Sequence, residues 1–143
     1  MPNIIQEFTN SINIPIVLAS LADGSSVASS AVDNSTNRYL SANIQIKIQT
    51  DPGATSTGTV TIFILRSVDG GVTYDDLNSN SEMLGVFNAN APNTDYVFSV
   101  DTNIVGSLPE YWKLAVTNNS GDAFDATPAN FSVTMLAKSL LII

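Results

Sequence analysis

The sequence predicts an all-β protein: one antiparallel β-sandwich of about eight strands, jelly-roll-like in arrangement. Three observations lead there. Residues Leu40 to Gln49 alternate apolar and polar side chains without a break, the two-residue period of a half-buried strand. Clusters of Gly, Asn, Asp and Pro recur at intervals of roughly 8–12 residues, the spacing of short strands in a sandwich or barrel. No stretch sustains an apolar period of 3.6 residues with helix caps.

The elements follow in chain order. Residues 1–13 mix Ile4, Ile5 and Phe8 with polar residues and are expected to form an N-terminal arm or an edge strand. Ile14 to Leu21 and Ser25 to Ala31 supply one or two strands. In the alternating run, Leu40, Ala42, Ile44, Ile46 and Ile48 face a core, while Asn43, Gln45 and Lys47 face out. Asp51-Pro52-Gly53 stops that strand with turn chemistry. Thr59 to Arg66 puts Val60, Ile62 and Ile64 on one face and Phe63 and Leu65 on the other. Such a strand is covered on both sides, within the domain or by another chain. Further strands are expected at Ser81 to Phe87, Asp95 to Asp101, Glu110 to Thr117 and Phe131 to Lys138. The sandwich domain therefore spans 14–138. Residues 139–143, with Leu140, Leu141, Ile142 and Ile143, form an apolar C-terminal tail. Two readings stand for the ends: edge strands of the chain's own sandwich, or arms that pack on a neighbouring subunit. No internal repeat is visible, which argues against a solenoid or propeller.

Composition narrows function. A chain of 143 residues allows one ordinary domain. It is 44% hydrophobic and only 13% charged, with 13 acidic and 5 basic residues, no Cys and no His. Without Cys or His there is no zinc finger, thiolate site, disulfide framework, Cys nucleophile or histidine base. A net charge of −8 argues against a nucleic-acid partner, because phosphate neutralisation needs clustered Lys and Arg. No apolar run reaches the roughly 18 residues that span a bilayer, so no membrane partner is expected. The first ten residues lack a basic n-region and carry Glu7, which makes a poor signal peptide. The absence of Cys fits an intracellular origin and is equally compatible with a cysteine-free extracellular protein. The low charge points to a surface that is partly covered, and to a structural rather than a catalytic protein. N-x-S/T triplets at Asn34, Asn118 and Asn130 are of the kind that a Ser/Thr/Asn-rich chain contains by chance.

Several local constellations bear on chemistry. Ser67-Val68-Asp69-Gly70-Gly71-Val72-Thr73-Tyr74 fits S-x-D-x-G-x-T-aromatic and resembles the Asp-box hairpin turn of sialidase blades. Asp69 accepts from turn amides, Gly70 and Gly71 allow positive φ, Ser67 and Thr73 tie the strands, and Tyr74 packs over the turn. A sialidase needs several such boxes and an arginine cluster, so this one reads as a structural turn. Asp76, Asn78, Asn80 and Glu82 space oxygen ligands as in part of a calcium loop, but the sharp-turn glycine is missing. A solvated turn is the favoured reading, with calcium left open for a chain of net charge −8. Asp75 with Asp76 and Asp122 with Asp125 are paired carboxylates only as loop neighbours. Neither triad chemistry nor a phosphate-binding glycine loop is present. No catalytic residue, cofactor or metal is therefore assigned. Trp112, Tyr111 and Tyr74 are the rings that could line a sugar platform, although Trp112 among Leu114 and Val116 reads as core.

Three segments together resemble small virion proteins of tailed bacteriophages. They are Gly58 to Asp75 with its S-x-D-G-G-x-T-Y turn, the strand Tyr96 to Val100, and Leu108-Pro109-Glu110-Tyr111-Trp112-Lys113-Leu114 running on to Gly121. The resemblance covers about residues 58 to 121 and implies a β-sandwich of the capsid decoration or cement type. It implies a location on the outer surface of the virion's capsid, the major capsid protein as partner, and a homo-oligomer, with a trimer the usual arrangement in that class. It carries no catalytic residues. Contacts to other subunits or to the capsid are expected at Ile4, Ile5, Phe8, Phe63, Leu65, Leu140, Leu141, Ile142 and Ile143. The alternative from another class is a carbohydrate- or receptor-binding module of a phage tail or baseplate.

Overall fold

The computed structural model describes residues 3–77 and 82–142, the side chain of Ile142 excepted. Ten strands are present: β1 (Ile4–Phe8), β2 (Ile12–Asn13), β3 (Ser26–Ala28), β4 (Val32–Asp33), β5 (Ser41–Gln49), β6 (Thr59–Ser67), β7 (Glu82–Asn88), β8 (Asp95–Asp101), β9 (Tyr111–Asn119) and β10 (Ser132–Ile142). They form two five-stranded antiparallel sheets. One runs β1-β10-β5-β8, with β2 also on β10; the other runs β3-β9-β6-β7, with β4 also on β9. β1 and β2 act as one interrupted edge strand, and so do β3 and β4. Counted that way the sandwich has eight positions, with the first strand beside the last and the second beside the next to last. This is a jelly-roll order; the sequence predicts the all-β sandwich but not the order of its strands.

The core lies between the two inner faces. Ala42, Ile44, Ile46 and Ile48 of β5 and Val133 and Met135 of β10 meet Val60, Ile62 and Ile64 of β6 and Trp112, Leu114 and Val116 of β9. Register fixes the partners: Ile46 lies between Val133 and Phe98, and Ile62 opposite Val116. A one-residue slip would turn every one of these side chains toward water, so the pattern itself locks the register.

Several expectations change. Ile14 to Leu21 is not a strand. Pro15 has no N–H to give a ladder, and the segment is held at its start by Ile14 N–H donating to Val133 O (2.9 Å). Ile14 and Leu18 are nevertheless buried and plug the sandwich. The stretch Ser25 to Ala31 keeps only the three residues of β3. Leu40 precedes β5 and is 39% exposed rather than part of the core. The boundary at 138/139 falls inside β10, which continues to Ile142. There β1 pairs with it, from Phe8 opposite Lys138 to Ile4 opposite Ile142. Because β5 begins at Ser41, opposite Lys138, the last part of β10 has β1 as its one strand neighbour. The N-terminal arm and the apolar tail are thus the two halves of one ribbon.

Two of the N-x-S/T asparagines are internal anchors. Asn118 is fully buried; its amide donates to Leu21 O and Asp122 O (2.8 Å each) and its Oδ1 accepts from Ser120 N–H (2.9 Å). Asn34 is buried as well, donating to Tyr39 O and accepting from Tyr39 N–H. Replacing Asn118 with Ala strips the buried Ser120 N–H of its partner and removes one of the two donors from each of Leu21 O and Asp122 O, which keep Phe124 N–H and Ser120 Oγ. Asn118→Ala should therefore cost about 1–3 kcal/mol in urea unfolding. Asn130→Ala, at a part-exposed site holding one bond to Asp125, should cost about 1 kcal/mol or less.

Candidate functional site

The Asp-box turn forms as its residue types require. Ser67 Oγ and Gly71 N–H hydrogen-bond at 2.9 Å, and Ser67 Oγ also bonds Asp69 Oδ1 at 2.8 Å. Asp69 Oδ1 accepts further from Val72 N–H and Thr73 N–H (3.2 and 2.8 Å). Gly70 and Gly71 take φ of 76° and 88°, a region that side chains with a Cβ rarely adopt. The Thr73 and Ser67 donors hold the Asp69 carboxyl at a pKa of about 2. Tyr74 is half-buried, with the Lys113 ammonium 4.3 Å from its ring centroid. The turn is a rigid structural knot, and its oxygens are spent on the turn itself.

The other ionisable groups are engaged in the same way. Glu82 pairs with Arg66 Nε at 2.8 Å. The Arg66 guanidinium also donates to Val105 O, at the end of the short 3-10 helix Thr102–Val105 that follows β8, and to Ser107 O just beyond it. Glu82, one of the four spaced oxygen ligands, is therefore taken up by a cation. Asn78 and Asn80 lie outside the described residues, and Asp76 is an exposed residue. Among the described residues no group of three or more carboxylates gathers in metal-binding geometry. Asp122 accepts from Gly53 N–H, and Asp125 accepts from Thr127 N–H and the Asn130 amide. The Asn130 bond and the Thr127 bond hold Asp125 below the usual carboxylate range. Partial burial and the charges of Asp125 and Asp122 raise Asp51. Asp122 and Asp125 thus bind loop backbone. An open groove of about 320 Å³ lies between 13–19 and 128–133, with no ionisable side chain in its lining.

The aromatic rings do not make a platform. Trp112 is 1% exposed and belongs to the core. Tyr74, Tyr96 and Tyr111 are half-buried, and Phe8 is the one exposed ring. What remains on the surface is aliphatic, and it is unevenly placed. β5 begins opposite Lys138 of β10. β6 ends at Ser67 opposite Tyr111 at the start of β9, and Arg66 bridges from there to the loop after β8. One end of the sandwich therefore carries the β1–β10 ribbon, the Asp-box tip, the 3-10 helix and Leu40 together. Most of the exposed aliphatics gather there: Ile4 (65%) and Leu140 on one face of the ribbon, Ile5 and Leu141 on the other, then Val68 (99%), Val72 (82%) and Ile104, while Val17, Val86, Val97 and Leu136 lie elsewhere. Such grouping is unusual for a surface meant only for water.

Of the expected contact positions, some are accessible and others are not. Ile4, Ile5, Phe8, Leu140 and Leu141 are exposed on the ribbon. Phe63 is half-buried on the outer face of β6. Leu65 is only 4% exposed; the chain covers it already, so it is no contact residue. The side chain of Ile142 and all of Ile143 lie outside the described residues. Val68 and Val72 were not singled out from sequence. Their signal was present: apolar residues inside a turn whose every other side chain is tied inward have nowhere to point but out.

No protein-family model matches the sequence, and no curated protein matches it. Solved structures do. The chain is similar to BuGH86wt, solved in complex with neoagarooctaose, at a TM-score of 0.53 and 13% identity, over 96% of this chain and 20% of that one. It thus spans about a fifth of that chain's length. It is also similar to the structure of Tomato Aspermy Virus at a TM-score of 0.44 and 14% identity, over 93% of this chain and 76% of that one. A third likeness, to a structure described as "CBM4 structure and function", has a TM-score of 0.35 and 10% identity, over 93% of this chain and 82% of that one. The first shows a shared β-sandwich fold, and the two weaker ones decide nothing about this chain. No helix among the described residues is long and apolar enough to cross a membrane.

A titration tests the turn. The Asp69 carboxyl has a folded pKa of about 2, below its ordinary value of 3.8. Its contribution to stability is therefore complete above about pH 4 and is lost as pH falls toward 2. The urea midpoint of Asp69→Asn should lie below that of the parent at pH 7, and the gap should shrink between pH 4 and pH 2. A constant gap across that range would assign the acid loss to other groups.

Proposed function

We propose that this chain is a structural virion protein of the capsid cement or decoration type. In this reading it binds the outside of a phage head shell, clamps neighbouring major capsid subunits and catalyses no reaction. The observation that carries the reading is the gathering of exposed aliphatics at one end of the jelly roll, on a hydrogen-bonded ribbon and a knotted turn. Side chains presented on rigid backbone lose little conformational freedom on docking. Each contact is small, but one end that touches several subunits adds them by multivalency. The far end presents Asp23, Asp51, Asp122 and Asp125 in its loops, a polar surface suited to face water.

The reading as a carbohydrate- or receptor-binding module of a tail or baseplate has less support. Sugar platforms need exposed flat rings, and Trp112 is buried while the tyrosines are half-covered. Localisation discriminates the two. Antibodies against this chain, applied to intact particles carrying it, should decorate the head shell in electron micrographs. Heads lacking the chain should open at lower temperature, and adding the purified protein back should restore them. Label confined to tails or baseplates would overturn the cement reading, as would heads indifferent to its removal.

A further inference from the structure

We propose that two copies of this chain pair edge to edge through β1, antiparallel and about a two-fold axis at Gln6, so that their β1–β10 sheets join into one. This goes beyond the cement reading and does not depend on it. It is also a two-fold contact, unlike the threefold arrangement that the resemblance implies.

The argument begins with the free edge. β1 is the outermost strand of its sheet and pairs on one side only, with β10. Thr9 N–H donates to Ala137 O at 2.9 Å. Backbone groups alternate in direction along a strand, so Ile5 and Glu7 also turn theirs toward β10. The N–H and C=O of Ile4, Gln6 and Phe8 then point away from the sheet, and none has a partner among the described residues. Natural edges are commonly guarded by Lys, Pro, bulges or short length. The other edges here are guarded. β3 and β4 hold three and two residues, β7 has an irregular register between Ile62 and Phe63 of its neighbour, and β8 ends in Asp95 and Asp101. β1, Ile4-Ile5-Gln6-Glu7-Phe8, is a five-residue edge with no Lys, Pro or bulge, and its single charge is Glu7.

The sequence of β1 selects a second copy as the occupant. In the register centred on Gln6, Ile4 faces Phe8 of the other copy and Gln6 faces its own equivalent. All three outward-pointing residues of each strand then exchange hydrogen bonds, and Ile4 packs beside Phe8 on one face. The register centred on Ile5 leaves Phe8 unpaired, and the one centred on Glu7 sets two carboxylates opposite each other. Charge agrees. The ribbon of residues 4–8 and 138–142 contains one acid, Glu7, and one base, Lys138, whose ammonium lies 5.9 Å from the Phe8 ring centroid. It is a neutral strip on a chain of net charge −8. Two copies approaching there avoid the repulsion they would meet elsewhere.

The chain has no cysteine, which makes the register directly readable. Facing residues of a hydrogen-bonded antiparallel pair have Cα atoms about 5.5 Å apart, within disulfide reach. Gln6→Cys should therefore form a covalent dimer under mild oxidation. Ile5→Cys, whose two copies would be offset by two residues, should not. Gln6→Pro removes an outward N–H without touching the β10 ladder. In sedimentation velocity it should weaken association of the full chain about tenfold or more, a loss of about 1.4 kcal/mol, while its melting temperature stays near the parent's. Cross-linking of Ile5→Cys as fast as Gln6→Cys would overturn the proposal. So would unchanged association of Gln6→Pro, or a parent chain that stays monomeric at the highest concentration tested.

Discussion

The structure depends on one constraint, the two-residue period of β5, β6, β9 and β10. These strands supply the aliphatic side chains that fill the space between the sheets, from Ile44, Ile46 and Ile48 on one side to Ile62, Ile64, Leu114 and Val116 on the other. Isoleucine and valine suit a pleated surface and are stiff at χ1, so much of the core is ordered as soon as the backbone is. The nine-residue pairing of β6 with β9 has no register shift, from Thr59 opposite Asn119 to Ser67 opposite Tyr111. Everything at the ends of the sandwich is positioned by that uninterrupted ladder.

A chain with so few charges needs other means of fixing its loops, and it uses buried amides and hydroxyls. Asn118 ties the Leu21 loop to the turn 120–122 that follows β9. Asn34 clasps the turn before β5, and Thr102 Oγ1 accepts from Ala42 N–H at 2.8 Å. A neutral group buried with all its bonds made avoids the desolvation cost of a buried ion. Arg66 is the exception. It stays partly exposed, pairs with Glu82 and crosses from β6 to two carbonyls of the loop after β8. The 13% charge content is thus consistent with a well-pinned fold.

Alternation revealed β5, β6, β8, β9 and most of β10, because each buries one face against the other sheet and keeps that face apolar. The Asp box was equally legible, since every bond in it is local: Ser67, Asp69, Gly70, Gly71 and Thr73 act within seven residues. Ile14 to Leu21 misled for a physical reason. Its apolar residues plug the open side of the sandwich from a loop, and burial alone does not distinguish a plug from a strand. The joining of β1 to the end of β10 was invisible in the same way. Ile4 and Ile142 are far apart in sequence, and neither half has an alternation that names its partner. Leu65 was misjudged because opposite-face exposure in a strand says nothing of what lies over that face; Lys113, its cross-strand neighbour, sits under Tyr74.

The surplus of apolar residues then has a definite place. Sandwiches can leave aliphatics scattered singly over their surface without consequence. Here Val17, Val86, Val97 and Leu136 are of that kind, but the others collect where two chain ends and a knotted turn meet. Four of the five basic residues, Arg38, Arg66, Lys113 and Lys138, lie in that same half, and Lys47 alone lies in the other. Cations beside an aliphatic surface lower the local excess of negative charge while their stems add apolar cover. A face built so tolerates the approach of another protein surface far better than the acidic loops opposite. Low charge in this chain is therefore an asymmetry rather than an average property: one end gathers aliphatic and basic side chains, and the loops opposite are acidic.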